Sequence, residues 1–136
     1  MTEPAAATDR FSEAPISRLV GFRVEAGEPG EAVVHVRCGE HHHNPMGRVH
    51  GGLIAALADA AMGIAFGRTL VDGEDFATIE MKVNFIRPVR EGEVTATARV
   101  IQRGLRIGFV ECQLRTDAGK LIATGSSTCT VVADNL

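Results

Sequence analysis

The segment LIAALADAAMGIAF, from Leu53 to Phe66, constrains this chain more than any other. Every residue in it is apolar or glycine except Asp59. Apolar positions recur at helical spacing. Leu53, Leu57, Ala61 and Ile64 line one face, and Met62 and Phe66 share another with Asp59. A helix that is apolar nearly all round is buried on most of its sides rather than laid on a surface. It is too short to cross a bilayer, which takes about 20 apolar residues, and Asp59 opposes that use as well.

The rest of the chain reads with the period of strands. Val20–Ala26 and Ala32–Arg37 are predicted short strands joined through GEPG at 27–30, as a hairpin. HHHNPMGRVHGG is a loop, punctuated by Asn-Pro and glycine. After the helix, Ile79, Met81, Val83 and Phe85 alternate with Glu80, Lys82 and Asn84, as in a strand with one covered face. Pro88 and the turn REGE at 90–93 lead to Val94–Ile101, with Val94, Ala96, Ala98 and Val100 on one side. RGLR at 103–106 is a break. Ile107–Thr116 and Leu121–Val132 are strands joined by TDAGK at 116–120. Short connections imply antiparallel pairing.

The expected fold class is therefore α+β, one long helix covered by one curved antiparallel sheet. Residues 1–14 are expected to form a loose tail with a helical turn near Ile16–Leu19, and residues 15–136 one domain. A helix apolar all round needs more cover than one sheet supplies, so a homodimer at least is expected.

Composition narrows the function. The net charge is −3 with no basic block, so nucleic acid is not the expected partner. Cys38, Cys112 and Cys129 are far apart and form no CxxC pair, which argues for reduced thiols and a cytoplasmic setting. MTEPAAATDRFSEAP has no basic start and no apolar stretch, so neither a signal peptide nor membrane attachment is expected. There is no GxSxG; Ser126 and Ser127 fall in a strand. His41, His42 and His43 are consecutive and do not converge readily on one ion. A solvated turn and no metal are expected there, and a structural role for His35.

The mouth of the helix carries the chemistry. Its first N–H groups have no intrahelical partner, and the macrodipole adds positive charge. Gly51 and Gly52 leave them bare, so an oxyanion hole with the Gly52 N–H as donor is one reading and a flexible turn the other. Asp59 has Met62 and Phe66 as helical neighbours, neither a donor. Desolvation raises the pKa of such a carboxyl, as suits a general base or a nucleophile. An Asp held by a partner across an interface is the competing reading. Gly52 and Asp59 are about 10 Å apart along the axis. Two antiparallel helices in a dimer would set Gly52 of one chain opposite Asp59 of the other.

VHGGLIAALADAAMGIA, with Asn44 six residues before His50, resembles the hotdog-fold acyl-CoA thioesterases of the phenylacetic-acid-degradation (PaaI-like) type. TIEMKVNFIRPVREGE resembles their strand after the helix, and the likeness covers roughly residues 18–132. The resemblance implies a hotdog fold and hydrolysis of a CoA thioester to acid and free CoA. It implies that the Gly52 N–H and Asn44 polarise the carbonyl, with Gly51 beside them. His50 would orient the loop or touch substrate. Asp59 of the partner chain would activate water or attack, and Thr78 would help position water. The CoA phosphates would lie along Phe85, Arg87, Pro88 and Arg90 and along Arg103, Gly104 and Arg106. Met62 and Phe66 would wall the acyl pocket, with Met46 and Leu53 within reach. No cofactor is implied, since CoA belongs to the substrate, and the assembly would be a dimer or a dimer of dimers. A non-catalytic acyl-CoA-binding hotdog, a sensor or sequestering module, is the alternative. Asp59 argues against it, because a binder has little use for a carboxylate beside a thioester. A hydratase on the same fold is a third reading, but its patterns are not found here.

Overall fold

In a computed structural model, which describes residues 10–133, the long helix runs from Gly51 to Gly67. It begins two residues earlier than the apolar pattern suggests. The reason is local: His50 is the N-cap, and its Nδ1 accepts the N–H of Gly52 at 2.8 Å. The preceding elements are α1 (Pro15–Val20), β1 (Arg23–Val24), β2 (Glu31–Cys38) and a 3-10 turn at Glu40–His42. The long helix is α2. After it come β3 (Glu74–Phe85), β4 (Gly92–Arg103), β5 (Ile107–Thr116) and β6 (Leu121–Ala133).

All six strands form one antiparallel sheet in the order β1-β2-β4-β5-β6-β3. The sheet curls around α2, as the hotdog resemblance implies. Inward positions alternate along the strands, with Val34 and Val36 on β2, Val94, Ala96 and Ala98 on β4, and Val110, Cys112 and Leu114 on β5. They close on Leu57, Ala58, Ala61, Ala65 and Phe66 of α2, all fully buried. Each large aliphatic side chain taken from water here contributes about 1.5–3 kcal/mol. The opposite stripe of α2, with Gly52, Ala56, Asp59, Ala60 and Gly63, is not covered by this sheet.

β3 starts at Glu74, well before the alternating segment, and contains a bulge. Thr78 pairs with Cys129 and Glu80 with Thr128, so Ile79 is an extra residue. The bulge changes which residues face the helix. Thr78 lies against the buried Cys129, whereas Met81, Val83 and Phe85 lie opposite the inward Ser127, Gly125 and Ala123. Ile79 is therefore not the first member of that inward set, and it is exposed. β3 is an edge strand. Twelve residues long with exposed Ile79 and Phe85, it has the form of an edge that calls for cover.

The N-terminal part departs from expectation. Residues 1–9 of the expected tail lie outside the described residues, but Phe11 and Ser12 are packed. Ser12 is buried, and the Phe11 ring seats over Gly67. The first strand shrinks to Arg23–Val24, because α1 runs through Val20 and Gly21 caps it at φ +89°, a left-handed conformation that suits glycine. No helix among the described residues is long and apolar enough to cross a membrane. The three thiols are free and buried. Burial pushes Cys38 up to about 11 and Cys112 up to about 12, values of inert core thiols.

Candidate active site

Two clefts flank the exposed side of α2. The first, of about 380 Å³, opens at its N-terminus between the loop at 44–48 and the end of β3, and is lined by Asn44, Met46, Gly51, Phe85, Arg87 and Pro88. Asn44 Oδ1 accepts the N–H groups of Met46 and Arg48 at 3.0 and 3.1 Å. With its oxygen so engaged, the Asn44 amide nitrogen is the end left to serve a ligand. The Phe85 ring lies 3.4 Å from where a Cβ on Gly51 would stand, so a side chain there would crowd the cleft.

The structure revises which amide is available. Gly52 is not the bare donor, because its N–H points back to His50 Nδ1. The N–H of Gly51 has no partner among the described residues and borders the cleft. Sequence spacing could not separate two adjacent glycines; the orientation of the capping imidazole does.

Arg48 and Arg87 also line this cleft, and Arg90 Nη1 is 3.9 Å from the Cβ position of Gly47. Arg48 is not among the residues that the sequence motifs single out. The available signal was a cation inside the loop that carries Asn44 and His50.

The second cleft, of about 410 Å³, lies further along α2 and brings Asp59 together with Thr78. Ala56, Ala60 and Gly63 form its floor, and Phe11, Ile16 and Phe76 its walls. In the single protomer Asp59 is exposed, against the expectation of a buried carboxylate, because it stands on the stripe that the sheet leaves bare. The apolar surroundings still push its pKa above the ordinary 3.8 by desolvation. It has no hydrogen-bond or ion-pair partner among the described residues. Thr78 Oγ1 is 3.9 Å from Cys129 Sγ, which turns the hydroxyl toward this interior.

Other expected residues fall elsewhere. Met62 and Phe66 line neither cleft. They are 1% and 0% exposed and fill the core, in room that Gly125 and Gly108 of the sheet leave for them, with Phe76 against the Phe66 ring. Leu53 is half-buried and also lines neither cleft, whereas Met46 is at the first. The guanidinium of Arg103 is engaged within the protein. It donates to Thr69 Oγ1, to the carbonyls of Gly104 and Leu105, and to Glu74, and it lies over the Phe66 ring. It staples the turn after α2 instead of presenting itself to a phosphate. Gly104 closes the β4–β5 turn through its N–H to Ile107 O at 2.8 Å. Arg106 is exposed there. Because Arg103 holds Thr69 just past the far end of α2, this group sits about 25 Å from Gly51 within one protomer.

The histidine run is not simply a solvated turn. His42 is buried, donating from Nε2 to Val20 O at 2.9 Å and accepting the Gly39 N–H at Nδ1. His43 Nε2 donates to Arg90 O at 2.6 Å, and His41 stacks on His42. His35 bridges Glu25 and Thr95. A further hollow of about 560 Å³ on the outer sheet face, lined by Lys82, Arg99, Glu111 and Gln113 among others, holds none of the expected residues.

Comparison with known proteins places the fold and the family. The family model of the thioesterase superfamily matches residues 46–123. Human acyl-coenzyme A thioesterase 13 is 33% identical over 114 residues, covering 82% of this chain and 81% of its own. A 1,4-dihydroxy-2-naphthoyl-CoA hydrolase of Listeria monocytogenes is 29% identical over 116 residues, covering 85% and 93%. The crystal structure of a phenylacetic acid degradation-related protein of Ralstonia eutropha JMP134 superimposes with a TM-score of 0.80 at 29% identity, covering 87% and 91%. The chain is a hotdog-fold member of the thioesterase superfamily, an enzyme that hydrolyses thioesters.

Proposed function

We propose that the substrate is an acyl-CoA and that the active site is shared between two copies of the chain. The observation that carries this reading is the unpartnered Asp59 carboxyl, which stands beside Thr78 in an apolar cleft while the free Gly51 amide opens into a different one. Eight residues of helix put the two about 12 Å apart, too far for one carbonyl and one water. An antiparallel partner docked on the bare stripe of α2 and the open edge of β3 brings Asp59 of one protomer to the Gly51 cleft of the other. The exposed Ile79, Phe85 and Ile86 supply apolar area for that contact. Stacking of two such dimers into a tetramer extends the same proposal.

In the proposed reaction the Gly51 N–H and Asn44 Nδ2 donate to the thioester oxygen. Asp59 takes a proton from a water that Thr78 orients, and the water oxygen attacks the carbonyl carbon. The tetrahedral oxyanion collapses, the C–S bond breaks, and the CoA thiolate leaves, taking up the proton that Asp59 gives back. Donors already aimed at the developing charge lower the barrier without reorganisation. A thiolate leaves readily, so no triad is required, and neither a cofactor nor a metal enters the scheme. His50 holds the loop by capping α2. Arg48, Arg87 and Arg90 are the proposed phosphate contacts at the first cleft, where the planar guanidinium fork suits phosphate oxygens. Arg106 of either protomer remains a candidate at the outer end. A cytoplasmic setting belongs to the same proposal.

The test is thiol release from a panel of acyl-CoAs by the purified protein and by Asp59→Asn. Loss of most of the rate with retained fold and assembly supports the assignment. Wild-type turnover in Asp59→Asn refutes Asp59 as the base.

A further inference from the structure

Residues 10–20 form a strap across the C-terminal half of α2, tied at both ends by polar contacts. At one end Arg10 donates to Glu74 O at 2.7 Å and lies 3.8 Å from the Asp75 carboxylate, while Arg68 donates to Ser12 Oγ at 3.3 Å. At the other end His42 donates to Val20 O. Between the ties the strap turns Phe11, Ala14 and Ile16 into the cleft that contains Asp59. The Phe11 ring seats on Gly67, so closely that a Cβ there would come within 2.8 Å of it. The ring also leans on Phe76, with centroids 5.7 Å apart.

We infer that this strap is the end wall of the channel for the acyl group, and that Phe11 is its length stop. The inference rests on the proposed role of Asp59. The carbon under attack lies beside that carboxylate, so the acyl group starts there. From Asp59 the floor continues over Ala60 and Gly63, which have no side chain long enough to obstruct it, to the ring of Phe11 over Gly67. The helix rises about 12 Å from Asp59 to Gly67. The thickness of an aromatic ring, about 3.5 Å at carbon contact distance, leaves about 8 Å. An extended chain advances about 1.2 Å per bond, since three backbone bonds span about 3.5 Å. The channel therefore takes about six or seven bonds, an acyl group of roughly six to eight carbons or a ring-bearing group of equal reach. Longer chains meet Phe11 and must displace the strap against its ties.

The test is kcat/KM for butyryl-, hexanoyl-, octanoyl-, dodecanoyl-, hexadecanoyl- and phenylacetyl-CoA with the full chain. The wild type is expected to fall off beyond octanoyl. Phe11→Ala is expected to raise the dodecanoyl-to-hexanoyl ratio about tenfold, on the scale by which a pocket discriminates small apolar increments, and Phe11→Trp to lower it. If Phe11→Ala does not fold, Phe11→Leu reads the same ratio. Hydrolysis with an unchanged length profile in the Phe11 variants overturns the stop and leaves the reaction intact. A wild type that cleaves none of these thioesters overturns the acyl-CoA reading and the stop with it.

Discussion

Nδ1 of His50 accepts the amide N–H of Gly52 at 2.8 Å, which assigns two neighbouring amides to different tasks. One closes the helix and the next remains open to the cleft. The bond also selects the neutral imidazole with its proton on Nε2, because a ring protonated at Nδ1 cannot accept. His50→Ala is expected to cost about 1 kcal/mol in chemical denaturation, the usual loss of an N-cap, and His50→Asn to keep most of it. Equal stability of all three proteins would show that the cap does not hold the loop.

Asp59 carries a pH signature with a definite sign. Desolvation raises its pKa above 3.8, so the folded protein favours the neutral carboxyl. Stability from this group is greatest below the unfolded value and is lost as pH rises through the folded one. Asp59→Asn is therefore expected to melt no lower than wild type at pH 7 and to flatten this part of the profile. For activity the sign is reversed. The base works only when ionised, so the acid limb of kcat/KM is expected above the ordinary carboxylate range. An acid limb below pH 4 would contradict desolvation at this position.

A shared site makes a prediction about mixed dimers. Asn44→Ala and Asp59→Asn are each expected to lose most activity alone. In a mixed dimer one site takes both intact residues and the other takes neither. Co-expression in equal amounts then restores about a quarter of wild-type activity, since half of the dimers are mixed and half of their sites intact. No recovery would place both residues in one protomer's site.

The arginines are expected to separate by measurement. Arg103 is engaged by Thr69, Glu74 and two carbonyls. Arg103→Ala should lower stability by about 1–3 kcal/mol, as for a broken charge-assisted network, with little change in CoA affinity at temperatures where it is folded. Arg87→Ala should weaken CoA binding several-fold with little change in melting temperature. Calorimetry of CoA binding beside thermal melts reads both, and the opposite pattern would move the phosphate site to the turn after α2.

The architecture was legible where periodicity carries it. The run from Leu53 to Phe66 and the strands around Val94–Val100, Ile107–Thr116 and Leu121–Val132 all stand as elements. Asn44, His50, Gly51, Gly52 and Asp59 were legible as a set through the family resemblance, with Gly52 expected as the donor, and Asn44 and Gly51 do share a cleft. The remainder depends on contacts that no local pattern records. Phe11 belongs to an acidic, alanine-rich stretch and reads as tail until it meets Gly67 and Phe76. Met62 and Phe66 share the helical spacing of Asp59, and what takes them into the core is the room left by Gly125 and Gly108, far along the chain. Arg103 was expected at the CoA phosphates, and its ties to Glu74 and Thr69, distant in sequence, were not legible.

The extra residue in β3 has a consequence for how this chain tolerates change. A strand that reverses its faces at Ile79 presents a hydroxyl on one side of that point and Met81, Val83 and Phe85 on the other, all toward the helix. Deleting Ile79, or inserting a residue next to it, would turn one of these sets outward. Spacing between Thr78 and Phe85 is therefore held as tightly as any side chain in the segment, and this stretch should accept exchanges of residue type far more readily than a change of length.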